Sequence, residues 1–152
     1  MNDMSVLDNT RTIEVLLVDD DPEDVDLTVE VLRMDRMKLN ISVVHDGIEA
    51  LRFLRKEEPF QQAKTPNLIL LDLNMPRMDG RETLEEIKCD EVLKMIPVVI
   101  LTTSSSDEDI IKTYMTGASC YITKPVGLQE FNKVVKAIED FWFTIVKFPE
   151  TD

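Results

Sequence analysis

Several residues in this chain are of types that do chemistry, and each falls where a strand-like run stops. Asp19, Asp20 and Asp21 follow Ile13 to Val18, Asp72 follows Leu68 to Leu71, Thr102 follows Val98 to Leu101, and Lys124 follows Ser119 to Thr123. A carboxylate is costly to bury unpaired, so an acid that closes a buried strand must emerge at the strand's edge. If these ends converge, their carboxylates repel. Each close pair costs about 4 kcal/mol at an effective dielectric near 20. A divalent cation or a proton relieves such a cluster. Oxygen donors beside an open crevice suit Mg²⁺ or Mn²⁺, with one or two carboxylates and several waters as ligands. Asp20 and Asp72 are the expected direct ligands, with a backbone carbonyl at Asn74, and Asp19 acting through water. A carboxylate can also attack phosphorus. A phosphoryl group on Asp72 would then meet the metal, the Lys124 ammonium and the Thr102 hydroxyl, one at each free oxygen.

The elements that must position these residues alternate regularly. Strands are expected over 13–18, 41–44, 68–71, 98–101 and 119–123. Pro22 opens the first helix with Asp21 as cap, and that helix runs to about Arg36. Asp46 with Glu49, and Asp79 with Glu82, have the spacing of capping boxes for helices two and three. Ser106 with Asp109 opens helix four, which carries Ile110, Ile111 and Met115. Helix five runs from about Gly127 to Ile145 with Leu128, Phe131, Val134, Val135 and Ile138 at helical spacing. Five strand–helix repeats imply right-handed crossovers and a parallel sheet covered on both faces. The fold class is therefore α/β, a flavodoxin-like, doubly wound (βα)5 with strand order 2-1-3-4-5 and a C-terminal extension. That order gathers Asp19, Asp20, Asp72, Thr102 and Lys124 around one crevice.

Asp19-Asp20, Asp72 with Asn74-Met75-Pro76-Arg77-Met78-Asp79-Gly80 behind it, Thr102, Tyr121 and Lys124-Pro125 together resemble a response-regulator receiver domain of two-component signalling. The likeness spans about residues 13–140. It implies that Asp72 accepts a phosphoryl group from a phosphohistidine of a sensor histidine kinase, assisted by Mg²⁺. It also implies Thr102 and Tyr121 as a switch pair, a cis peptide at Lys124-Pro125, and a part for Asn74 and Ser104 in the lifetime of the phosphate. Leu101 to Ser105, Glu139 to Trp142 and the tail from Phe143 to Pro149 resemble the single-domain regulators paired with cyanobacterial phytochromes. Val126 departs from the aromatic residue that usually follows the Lys-Pro pair.

Other residues read more plainly. Asp21, Glu23 and Asp24 at a helix start are expected to favour the helix dipole, Asp79 to cap, and His45 beside Asp46-Gly47 to serve a turn. Cys89 and Cys120 lack metal-ligand spacing and read as reduced, inert, partly buried thiols. Two other functions fit parts of the pattern. A phosphohydrolase of the haloacid-dehalogenase type would need an acid two residues after Asp72, where Asn74 stands. A scaffold indifferent to phosphorylation would not need the acids, Thr102 and Lys124.

In 152 residues, thirty acids against seventeen bases give a net charge of −13. That balance opposes nucleic-acid binding, which needs a basic face. No apolar run reaches a membrane span, and residues 1–12 lack a signal-peptide core, so the expected setting is cytoplasmic. Residues 1–12 read as a disordered tail, 13–140 as the receiver domain and 141–152 as an extension. Phe141, Trp142 and Phe143 are consecutive and cannot all face one core, since helical neighbours step by about 100°. Helix five and the tail are therefore expected to form a homodimer contact. The expectation is a phospho-acceptor without a DNA-binding output, not a free-standing enzyme, that signals to an unknown downstream protein.

Overall fold

The structure is a computed structural model that describes residues 12–34, 38–73, 75–102, 118 and 120–145, with residues 120 and 138–145 described by backbone alone. Its centre is one five-stranded parallel sheet in the order β2-β1-β3-β4-β5. The strands are β1 Ile13–Val18, β2 Leu39–Val44, β3 Leu68–Asp72, β4 Val98–Thr102 and β5 Cys120–Thr123. The helices are α1 Pro22–Arg33, α2 Gly47–Leu54, α3 Gly80–Cys89 and a C-terminal helix, Leu128–Ile145. A single 3-10 turn, Leu93–Met95, precedes β4. This is the flavodoxin-like, doubly wound sheet order that the alternation predicts.

The central strands are apolar on both faces, and the period of two divides their side chains between two cores. Leu16, Val18, Ile69, Leu71, Val98 and Ile100 pack with Leu51, Phe53, Leu54, Leu84 and Ile87 from α2 and α3. Val15, Leu17, Leu68, Leu70, Val99 and Leu101 pack on the other face with Leu32 of α1 and with Phe131, Val134 and Val135 of the C-terminal helix. Phe131 is fully buried, which stabilises the fold by about 2–3 kcal/mol. Val126 is buried in this second core, so an aliphatic side chain fills that place after Lys124-Pro125.

Local signals set the helix starts. Asp21 accepts hydrogen bonds from the Glu23 and Asp24 amides, and Pro22 occupies the first helical position. Asp79 and Glu82 form a complete capping box. At α2 only half of the expected box forms. Asp46 accepts from the Glu49 amide, but the Glu49 carboxylate turns to the amide of His45. Some boundaries differ from expectation. The ladder with β1 pairs Ile13 with Leu39, so β2 begins at Leu39 and not at Ile41. Met34 closes α1, its amide bonding back to Val31, short of the expected Arg36. Cys89 is exposed, because it ends α3 on the side away from Ile87; it is not a partly buried thiol. Helix four, Ser104, Asn74, the tail residues and the side chains of Phe141, Trp142 and Phe143 lie outside the described residues.

Candidate functional site

The parallel ladders bring the site residues to one edge and hold their backbones there. Asp72 pairs in register with Leu101, and Thr102 with Thr123. Beyond the last ladder pairs, further bonds fix the strand ends. The Asp19 amide donates to the Val44 carbonyl at 3.1 Å, the Leu73 amide to Leu101 at 3.0 Å, and the Lys124 amide to Thr102 at 2.6 Å. The Lys124-Pro125 peptide is cis, as the resemblance implies.

Carboxylate oxygens of Asp19, Asp20 and Asp72 lie within 4.8 Å of one another. Asp19 and Asp72 are buried, at 0% and 4% exposure, whereas Asp20 is exposed. Asp19 Oδ1 accepts from the Asp21 amide at 3.0 Å, and Oδ2 is ion-paired with Lys124 Nζ at 2.9 Å without a hydrogen bond among the described residues. The same ammonium lies 3.2 Å from Asp72 Oδ1. Its third partner is Asp24, at 2.9 Å. Burial works against the charge on Lys124, but the carboxylates of Asp24, Asp19 and Asp72 outweigh it and hold the ammonium above the usual lysine range.

Thr102 is almost fully buried, and its Oγ1 has no hydrogen-bond partner among the described residues. A buried hydroxyl left unpaired is costly. Here it stands in the next strand and one ladder step beyond Asp72. The donor set is all oxygen, carries more negative charge than Lys124 offsets, and is open to solvent at Asp20. It fits a hard divalent cation at the carboxylates, and among the described residues it leaves the Thr102 hydroxyl unused.

The structure thus brings together Asp19, Asp20, Asp72, Thr102 and Lys124. Tyr121 is partly buried beside the first core, one strand from Ile100. Asp24 was expected only to favour the helix dipole, but it also binds Lys124 across a sequence separation of 100 residues. No local pattern announces that contact, because it exists only once α1 lies beside the end of β5. A second residue without a sequence signal is Arg77. It follows Asp72 in the β3–α3 loop, has a left-handed backbone with φ 64, and donates through Nε to Asp46 Oδ2 at 2.8 Å. Its Nη2 reaches the same oxygen. The Gly47 amide bonds the Met78 carbonyl at 3.2 Å. A Cβ on Gly47 would stand 2.9 Å from that carbonyl and 2.0 Å from Thr83 Oγ1, so this approach requires glycine. The loop after β3 is therefore fastened to the start of α2.

Residues 15–136 match the response regulator receiver domain family. The chain is 43% identical over 135 residues to response regulator Rcp1 of Synechocystis, covering 89% of this chain and 92% of that protein. Among solved structures, the phosphorylated cyanobacterial phytochrome response regulator RcpA is 44% identical, with a TM-score of 0.70 over 87% of this chain and 94% of that one. The Mn²⁺-bound form of Rcp1 is 43% identical, with a TM-score of 0.68 over 86% and 94% of the two chains. With the sheet order, the acid cluster and the cis Lys124-Pro125 peptide all in place, this chain belongs to the response-regulator receiver family and is related to the cyanobacterial phytochrome response regulators.

Proposed function

We propose that the chain is a phospho-accepting response regulator in which Asp72 receives a phosphoryl group from a phosphohistidine of a sensor histidine kinase. One observation carries the reading: the Lys124 ammonium lies 3.2 Å from Asp72 Oδ1, and the buried Thr102 hydroxyl, without a hydrogen-bond partner among the described residues, stands in the next strand one ladder step beyond Asp72. A structural ion pair needs no such spare donor, whereas a phosphoryl group supplies acceptors for both. In the transfer, an Asp72 oxygen forms a bond to phosphorus while the bond from phosphorus to the imidazole nitrogen breaks. The electron pair leaves with the imidazole. Lys124 and Thr102 then bind phosphoryl oxygens and stabilise the charge that develops on them. Mg²⁺ or Mn²⁺, when bound, supplies the positive charge that lets an anionic donor approach an acidic crevice. Asp20 and Asp72 would hold it, with the Asn74 carbonyl. Asp19, occupied by Lys124 and the Asp21 amide, would serve it through water.

A phytochrome-type kinase is the proposed donor, supported by the relatedness to RcpA and Rcp1. The chain acts as a phospho-acceptor in the cytoplasm, not as a free-standing enzyme, and its output is protein–protein contact. Tyr121 with Thr102 would form the switch. A homodimer through the C-terminal helix and tail is part of this reading, supported by the consecutive aromatics 141–143, and sizing in solution with and without a cut after Asp140 tests it. The phosphoryl step is tested by incubating the chain with Mg²⁺ and acetyl phosphate or a phosphorylated kinase. The expected result is a hydroxylamine-labile mass gain on wild type and none on Asp72→Asn. An equal gain on both sinks the reading.

A further inference from the structure

We propose that Asp24 is a positioning residue that holds the Lys124 ammonium in competition with the incoming phosphoryl group; this rests on the phospho-acceptor reading of Asp72.

An ammonium has three N–H donors. Lys124 Nζ has three carboxylates around it, at 2.9 Å from Asp19, 2.9 Å from Asp24 and 3.2 Å from Asp72. The contact with Asp24 is a hydrogen bond, whereas Asp19 Oδ2 is ion-paired without one, so a phosphoryl oxygen that binds Lys124 competes with Asp24. Asp19 and Asp72 belong to the carboxylate cluster itself and are almost fully buried. Asp19 is fully buried and cannot exchange the lysine for bulk water, and Asp72 gives up its carboxylate charge once its oxygen bonds phosphorus. Asp24 is different. It stands outside that cluster, on the first turn of α1, and its side chain is 33% exposed. Water can replace the lysine on Asp24, and the helix N-terminus favours its negative charge in place. Asp24 is therefore the anionic partner that competes with the phosphoryl group for the lysine and can release it to water. While it is bound, it withholds one donor of Lys124 from the phosphoryl group. Its carboxylate lowers the rate at which the phosphoryl group is captured and shortens the time it stays.

Glu23 supplies the control. It lies beside Asp24 on the same turn, carries the same charge and is exposed, and no contact joins it to Lys124 among the described residues. A change at Glu23 alters the field of the crevice but leaves the lysine's partners alone. The experiment compares the full chain as wild type, Asp24→Asn, Asp24→Glu and Glu23→Gln. It follows formation and decay of the aspartyl phosphate with acetyl phosphate and Mg²⁺. In Asp24→Asn, formation is expected to be several-fold faster and decay several-fold slower. Asp24→Glu restores the wild-type behaviour, and Glu23→Gln stays near it.

A second readout needs neither metal nor phosphate: the Lys124 ammonium protons, followed by NMR, exchange with water faster in Asp24→Asn than in wild type or Glu23→Gln. The proposal is overturned if Asp24→Asn and Glu23→Gln behave alike, if Asp24→Asn slows phosphorylation, or if ammonium exchange is unchanged. A wild type that takes up no phosphate overturns the functional reading instead, while the exchange measurement still shows whether Asp24 holds the lysine.

Discussion

Two buried charge clusters stand at neighbouring strand ends, and they are built on opposite plans. After β2, Asp46 is satisfied on both oxygens, by the Glu49 amide on Oδ1 and by Arg77 on Oδ2. After β1, β3 and β5, one lysine serves Asp19, Asp24 and Asp72, Asp20 adds further negative charge, and the Thr102 hydroxyl has no partner among the described residues. The first cluster is closed: each polar group has its mate, and the result is a cap and a fastening. The second is open, because it keeps surplus negative charge and a hydroxyl donor that no described residue uses. A stability device and a ligand site can thus be told apart by how much of their hydrogen-bonding capacity is already spent.

Substitutions can break that contrast. Lys124→Met should have the largest effect. It leaves buried carboxylates without their cation and should cost about 3 kcal/mol in denaturant unfolding. Added Mg²⁺ should restore part of that loss and stabilise the variant more than wild type; an unchanged midpoint would contradict the account. Asp46→Ala comes next, at about 1–2 kcal/mol, since it removes a helix cap and the ion pair with the half-exposed Arg77. Divalent cations should not rescue it.

Acid sharpens the same comparison. Burial raises the Asp46 carboxyl, but the Glu49 amide and Arg77 outweigh it and hold the group below its ordinary value of 3.8. The unfolded chain therefore takes up this proton more readily than the fold. The stabilisation is whole above the ordinary value and disappears as pH falls through the lower, folded one. The stability difference between wild type and Asp46→Asn should thus be constant near neutrality and narrow in acid.

Asp20→Asn tests the open cluster from the other side. Stability should change by less than about 1 kcal/mol, toward a more stable fold if at all, because an exposed acid leaves a repulsive group. Divalent-cation affinity should fall at least about ten-fold, the scale on which even outer partners matter. A loss of stability comparable to Asp46→Ala would erase the distinction. Arg77→Gly should have the smallest effect. Loss of a half-exposed ion pair is offset by relief of the left-handed backbone at φ 64, for a net change within about 1 kcal/mol.

What the sequence disclosed follows the range of the interactions. Strand ends were legible, because a run such as Leu68 to Leu71 closed by Asp72 has one physical solution. Caps were legible too, because Asp21, Asp46 and Asp79 act on amides two or three residues away. The alternation of elements then fixed the sheet order, and with it the gathering of Asp72, Thr102 and Lys124. Contacts that arise only after the sheet has assembled left no local trace. Asp24 and Lys124 are separated by 100 residues and Asp46 and Arg77 by 31. Each acid was read correctly for its own helix and incompletely for its distant cation. The early start of β2 at Leu39 and the exposure of Cys89 likewise depend on neighbours that a local pattern does not contain.

The fastening of the loop behind Asp72 has a consequence for chain length. Gly80 donates to the Leu73 carbonyl at 2.9 Å, and a Cβ there would sit 2.5 Å from the Asp72 carbonyl oxygen. Gly47 grips the same connection further out, at Met78. Between these two grips the connection acts as a ruler. One residue added or removed from 75–79 would have to displace either the start of α3 or the hold of α2. The stretch between α2 and β3, from Arg55 to Asn67, is mostly exposed and has room to lengthen. The strand that ends in Asp72 is thus followed by a segment of fixed length and preceded by one whose length is free.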